Sequence, residues 1–286
     1  MLKSVSILAM GVVMAASSSA AFSAPVLSSS ANAASAHVSV ANVVKANATL
    51  APVSGTAAPD YADAAGLASI NLSANLFGDL LLSTSAGVQT GIVTTSAESA
   101  YPGSASAAAN IVNARAGLYT SVLGAIPLTS LGISADAISS TTVAGIDGSG
   151  LFASGSSSIA NLLISGSILD TLGLDLAAFS NPLPNTVGLS VLGLKITFNE
   201  QLMEQTADSI FMATNAVHIS LDDYLFQGHL LNGDIILGHS QASVTGYVPS
   251  AAVPEPATWA LMMAGFGLIG FSLRRRARVR VHAAFA

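Results

Sequence analysis

Between Glu200 and Asp234 the chain gathers five carboxylates, Glu200, Glu204, Asp222, Asp223 and Asp234, and interleaves His218 and His229 with them; His239 follows closely. Paired carboxylates can hydrolyse a glycosidic bond, one as acid and one as nucleophile or base. Histidines that converge can hold Zn²⁺ once at least three ligands meet at about 2.0–2.2 Å. The spacing declares neither chemistry. The histidines stand 11 and 10 residues apart, which fits no compact ligand motif, although adjacent antiparallel strands could bring His218 and His239 together. Glu200-Gln201 reads as a strand end and Asp222-Asp223 as a connection, so solvated turns are the simpler expectation for the acids. Calcium needs oxygen donors. Asp147-Gly148-Ser149-Gly150 and Asp222-Asp223 offer them, but neither follows the Asp-x-Asp-x-Asp-Gly pattern. No Gly-x-Ser-x-Gly elbow and no Walker motif occurs. A Ser-His-Asp set picked from so serine-rich a chain carries no weight. The expectation is therefore a protein that is not an enzyme, with no catalytic residue, no metal ligand and no cofactor.

The elements that must position these groups are written in an unusual composition. Of 286 residues, 51% are hydrophobic, yet only 8% are charged and 6% aromatic. In the middle of the chain Ala, Ser, Gly, Thr, Val, Leu and Ile alternate in short mixed runs, and compact apolar stretches occur only at the ends. Between Pro25 and Pro256 the bases are Lys45, Arg115 and Lys195, against all fifteen acids of the chain, a balance of −12. Such a surface lacks the cations that neutralise phosphates, which argues against nucleic acid as a partner. The absence of cysteine excludes disulfides and thiolate chemistry.

Period-two alternation predicts half-buried strands. The best candidates are Ser69–Leu72, Gly87–Ser96, Leu131–Ser140, Gly150–Ser156, Ser158–Ser165, Leu189–Asn199, Ser209–Ser220 and Asp234–Tyr247. Ser104–Val122 is Ala-rich and reads as helix or strand, with strand favoured. Ile146–Gly150 and Leu231–Asp234 read as tight turns. Pro25 to about Asp60 reads as an Ala/Ser-rich spacer, with an edge strand around His37–Val44 and a helical turn near Ala58–Leu67. Many short strands between frequent turn signals predict an all-β fold, a sandwich-like or irregular β domain over 61–248.

The two ends read differently. Lys3 followed by the apolar run Val5–Ala16 and then small residues predicts a signal peptide over 1–24. Ser18-Ser19-Ala20 is the preferred cleavage site and Ala31-Asn32-Ala33 the other. At the far end, residues 249–256 form a linker ending in Pro254-Glu255-Pro256. Ala257–Leu273 then supplies 17 uncharged residues, at the lower limit for a transmembrane helix. Arg274, Arg275 and Arg276 open a basic tail, 274–286, expected to stay cytoplasmic. Trp259 sits at the outer boundary, where an amphipathic ring is favoured.

This order of short motif, short apolar helix and arginine cluster resembles the PEP-CTERM sorting signal in its PEPxxWA variant. The resemblance implies processing by an exosortase, with Pro254, Glu255 and Pro256 recognised, Trp259 and Ala260 completing the motif, and Arg274–Arg276 holding register as a membrane stop. One departure is that Val279–Ala286 continues past the arginines. The stretch from Ala114 to Tyr247 resembles extracellular domains described as choice-of-anchor, through Asn185-Thr186-Val187, Phe198-Asn199-Glu200-Gln201, Asn215–Ile219 and Asn232–Ser240. These resemblances imply an exported protein, held at the inner membrane before processing and at the cell surface or in extracellular matrix afterwards. A structural protein associated with exopolysaccharide or biofilm matrix is expected first. A carbohydrate-binding adhesin comes second and an extracellular hydrolase using the Glu200–Asp234 acids third.

Overall fold

The computed structural model describes residues 24–40, 43–78, 82–122, 126–165, 179–226, 228–249 and 256–279. The expected signal peptide lies, but for Ala24, outside them. The described strands are β1 (Val26–Val40), β2 (Val43–Leu50), β3 (Val53–Ala57), β4 (Ala62–Leu67), β5 (Ile70–Gly78), β6 (Leu82–Thr90), β7 (Val93–Ala100) and β8 (Ser104–Val122). They continue as β9 (Ile126–Asp147), β10 (Gly150–Ala160), β11 (Leu163–Ser165), β12 (Thr186–Val191), β13 (Leu194–Gln205), β14 (Ile210–Phe226) and β15 (His229–Thr245). One helix, α1 (Pro256–Val279), follows, and the chain divides after Tyr247 into a β body and a tail.

The body is two antiparallel sheets. Sheet A runs β12-β13-β14-β15-β1, with β2 and β3 sharing the outer edge of β1. Sheet B runs β10-β9-β8-β6-β5, with β11 beside β9, and with β7 continuing along β8 and carrying β4. The sheets face each other over a core that draws Ile111, Leu118, Ile133 and Ile138 from sheet B and Val38, Ile196, Phe198, Ile219 and Leu237 from sheet A. Burying these side chains drives the two layers together, at roughly 25 cal/mol per Å² of apolar surface. The all-β sandwich expectation thus holds for the body.

Several boundaries differ from the expectation. Residues 25–60 are not a spacer: β1 sits between β15 and β2/β3 and buries Leu27, Ala31, Ala33, Ala34, Val38 and Val40. Alanine is a weak strand former, but here alternate alanines face the other sheet closely, so packing overrides propensity. A signal cut after Ala33 would remove the first half of this strand. Residues 62–67 are strand β4 rather than a helical turn. Leu189–Asn199 is two strands joined at Leu192-Gly193. Asn232-Gly233 is no turn but lies inside β15, where both residues pair with β1 and Gly233 pairs with β14 as well. Gly233 is needed there because a Cβ would collide with the His37 carbonyl. The Ile146–Gly150 turn is where expected, joining β9 to β10.

The long strands share one crease. Asn113 in β8, Asn199 in β13 and Gly238 in β15 take positive φ (54°, 49° and 65°), a region asparagine tolerates better than most residues. In sheet A the crease turns two consecutive residues inward on each strand: Ala33-Ala34, Phe198-Asn199, Ala216-Val217 and Leu237-Gly238. In sheet B it turns Val112-Asn113 and Asp136-Ala137 outward. The same line interrupts β10/β11 at Asn161 (φ 51°) and β2/β3 at Ala51 (φ 49°). A one-residue slip on a single strand would reverse its faces. Because neighbours slip in the same row, alternation resumes in phase and both sheets bend together.

Beyond the crease the core changes character. Ala97, Ala105, Ala107, Ala109 and Ala144 line it, and hydroxyls cross the gap between sheets. Thr142 Oγ1 of β9 lies 2.9 Å from Thr214 Oγ1 of β14 and 2.8 Å from Ser240 Oγ of β15, all three residues being buried. Small side chains let the layers approach closely enough for such bonds, which satisfy hydroxyls that burial would otherwise leave unpaired.

Candidate functional site

The chemistry-bearing residues converge on the outer face of sheet A, on either side of the crease. Glu200 lies within β13, not at its end, and pairs across the sheet with Asn215 of β14 and then His239 of β15. His218 lies just after the crease on β14, and Asp234 just before it on the antiparallel β15. Two inward residues, Ala216 and Val217, separate Asn215 from His218 along β14, so Glu200 and His218 face each other over the fold line. His218 Nδ1 donates to Glu200 Oε2 at 2.7 Å, and Nε2 donates to Asp234 Oδ1 at 2.7 Å. Asn215 Nδ2 donates to the same Glu200 oxygen at 2.7 Å, and His239 Nδ1 donates to Asn215 Oδ1 at 2.6 Å. One polar chain, His239–Asn215–Glu200–His218–Asp234, therefore crosses three strands.

Electrostatics follow from this geometry. Burial alone would lower the His218 pKa, but the bonds to Asp234 and Glu200, with their two charges, outweigh it and push it up to about 9. The ring is an imidazolium at neutral pH. The hydrogen bond from His218 holds the Glu200 pKa low against its own burial, and Asn215 adds to the effect. Asp234 is also lowered, chiefly by His218. His239 goes the other way: burial depresses its pKa, and a hydrogen bond with Gln241 only partly offsets this.

The remaining candidates are dispersed. Glu204 and Asp222 are exposed. Asp223 exchanges two hydrogen bonds with the Asn232 side chain, at 2.8 and 2.9 Å. His229 opens β15 at the end of the sheet, far along the strand from His239. Asp147 is occupied in its own turn, where Oδ1 accepts from Ser149 N at 2.8 Å and Ser149 Oγ at 2.6 Å; those bonds lower its pKa. Among the described residues no group of three or more His, Asp or Glu side chains is arranged to hold a metal ion. The Asn215 bridge was missed in the sequence. Its signal was an asparagine at an outward strand position opposite both an acid and a histidine.

In the tail, Pro256 opens α1, a position where its missing N–H is no loss. Trp259 and Ala260 fall in the first turns, and Arg274–Arg276 in the last third, where cations favour the negative end of the helix dipole. Pro254 and Glu255 lie outside the described residues. Leu261, Met263, Phe266, Leu268, Ile269 and Phe271 are exposed on all sides of the helix. The expected span is not shown by the described residues: among them no helix is long and apolar enough to cross a membrane. The 17 uncharged residues cover only about 25 Å at about 1.5 Å each, against about 30 Å of hydrocarbon. Gly265, Gly267 and Gly270 match the spacing of a dinucleotide-binding loop. They lie inside α1 rather than between a strand and a helix, so the phosphate-binding geometry is missing.

A family model described as the PEP-CTERM protein-sorting motif matches residues 252–276. This chain carries a PEP-CTERM sorting signal. The PEP-CTERM match runs from just before Pro254 to Arg276 and so takes in the apolar run Ala257–Leu273 and the three arginines that follow it. It marks the chain as an exported protein whose sorting depends on an exosortase. No curated protein and no solved structure matches the chain, so the PEP-CTERM segment carries all of the family evidence.

Proposed function

We propose that the protein is a non-enzymatic component of the cell surface or of an exopolysaccharide or biofilm matrix, delivered there by exosortase processing of its tail. The PEP-CTERM match carries this reading. The exosortase reads Pro254, Glu255 and Pro256, with Trp259 and Ala260 completing the motif. α1 lies in the inner membrane before processing, and Arg274–Arg276 remain on the cytoplasmic side. A helix apolar on every face needs an apolar surround, which supports the membrane stage; flanking arginines and local thinning of the bilayer offset its shortness.

The polar chain of sheet A supports a structural rather than catalytic role. A general base needs a nitrogen or oxygen free to take a proton. Both ring nitrogens of His218 are already donating, and Glu200 and Asp234 are held by that ring. The adhesin reading has less support. Glycan stacking needs exposed rings, yet Tyr61 and Tyr101 pack against alanine-lined core and Tyr224 is buried. The hydrolase reading needs the acids Glu200 and Asp234 to be free of His218. Deletion of the gene tests the matrix role. Loss of matrix mass or cohesion is the expected outcome, and an unchanged matrix and surface proteome would sink it.

A further inference from the structure

Along the crease, one residue of each long strand drops out of the ladders. Ala33, Asn199, Ala216 and Gly238 in sheet A and Asn113 and Asp136 in sheet B have no partner there, while the residues on either side of each are paired. Such an interruption lets a strand bend, because no ladder pair ties the row together. The core divides near the same line. Phe198, Ile219 and Leu237 belong to one buried cluster, and Leu27, Ile210 and Val244, beyond the crease, belong to another. Two buried polar atoms that have no partner among the described residues adjoin the row. They are Asn32 Oδ1, next to Ala33, and Ser140 Oγ, which a Cβ on Gly238 would approach to 3.8 Å. Leaving such atoms unpaired is costly, so the row itself does not favour the angle that the sheets adopt.

We propose that the crease is a hinge between two halves of the sandwich, and that the Glu200–His218 contact is the latch that sets its angle. Glu200 stands on the half that holds Leu27 and Val244, whereas His218 and Asp234 stand on the half that holds Phe198 and Leu237. The 2.7 Å bond from His218 Nδ1 to Glu200 Oε2 therefore spans the line, and the bond from Nε2 to Asp234 stays on one side of it. Asp234 seats the ring, and Glu200 receives it from across the row. Asn215, on the Glu200 side, donates to the same carboxylate oxygen and fixes its position. Hinges absorb their change in a few residues, and the small side chains of Ala33, Ala216 and Gly238 leave room for the two halves to pivot. This joint goes beyond the sorting reading and does not depend on it.

The chain has no cysteine, so two introduced thiols carry spin labels uniquely. In full-length protein in detergent, Ser190→Cys with Gln205→Cys places labels at exposed positions on opposite sides of the crease; Val26→Cys with Gln205→Cys places both on one side. Double electron–electron resonance reads the distance between the labels. Glu200→Ala should shift or broaden the spanning distance by about 3 Å, a rotation of about 10° on arms of about 16 Å, and leave the one-sided distance unchanged. Asp234→Ala, which keeps the spanning bond, should change neither. An unchanged spanning distance in Glu200→Ala overturns the proposal. So does a one-sided distance that broadens as much, which is loosening of the whole body, or an Asp234→Ala shift equal to that of Glu200→Ala. Hydrogen exchange on the unsubstituted protein keeps the test open should Glu200→Ala not fold. The amides of Ala33, Ala216 and Gly238 should exchange faster than those of Ala31, Thr214 and Ser240, which lie two residues away in paired rows. Equal protection of the two sets would leave no hinge.

Discussion

Phe198 in the body is wholly buried, with its ring centroid 4.7 Å from that of Phe179; Phe266 in the tail is largely exposed. The contrast extends along both regions. Ile196, Ile219 and Leu231 disappear into the sandwich, while Leu261, Leu268 and Ile269 of α1 face outward. The body sets its ionic groups against one another in the Glu200–His218–Asp234 clamp, whereas the tail concentrates arginines at one end. The body's side chains are chosen to satisfy each other, and the tail's to be read by something outside the chain. Stability therefore resides in one region and the address in the other, and changes in one should leave the readout of the other unmoved.

The largest separation is expected from the sorting motif. Pro254→Ala with Glu255→Ala should abolish the processed form while leaving the thermal midpoint of the body unchanged; immunoblotting of surface and membrane fractions with parallel calorimetry reads both. A shifted midpoint would mean that the tail contributes to the fold. In the body, Phe198→Ala should lower unfolding stability by about 3–5 kcal/mol in denaturant titration, through lost transfer energy and a residual cavity. A loss under about 1 kcal/mol would show that the neighbours collapse into the space.

Next comes the clamp. Folded His218 keeps its proton to about pH 9, against 6.5 for an ordinary histidine. Its stabilisation is therefore complete below about pH 6.5 and fades as pH rises to about 9. The lowered carboxylates Glu200 and Asp234 work in the opposite sense: their contribution is present above the ordinary carboxylate range and disappears as pH falls through their folded values. His218→Asn should cost on the order of 2 kcal/mol at pH 6 and much less at pH 10. Equal losses at both pH values would show that the charge is not the source. Thr142→Val is the smallest effect, about 1–2 kcal/mol, from leaving Thr214 and Ser240 without a partner between the sheets. Thr142→Ser should restore most of it, and no difference between the two variants would remove the hydroxyl bridge from the account.

The tail was legible because its three features are contiguous and a sorting signal must be readable as a linear string. The β class of the body was legible from alternation, as in Val217-His218-Ile219. Its extent was not. β1 hid in Ala and Ser because a close-packed sandwich selects small inward residues, which look like linker. Asn113, Asn161 and Asn199 fell inside predicted strands, but nothing in the sequence marked them as one crease, because they share a row only once the strands are paired. Asn232-Gly233 carried a turn signature but served close backbone approach. The clamp was invisible because Glu200, His218 and Asp234 lie 18 and 16 residues apart and meet only once register and crease are fixed.

The most direct measurement is the intact mass of the protein recovered from the cell surface or medium. The expected species ends at or near Pro254–Pro256 and contains no tryptophan, since Trp259 is the only one in the chain. A recovered species that retains Trp259 and Arg274–Arg276 would contradict sorting through this tail.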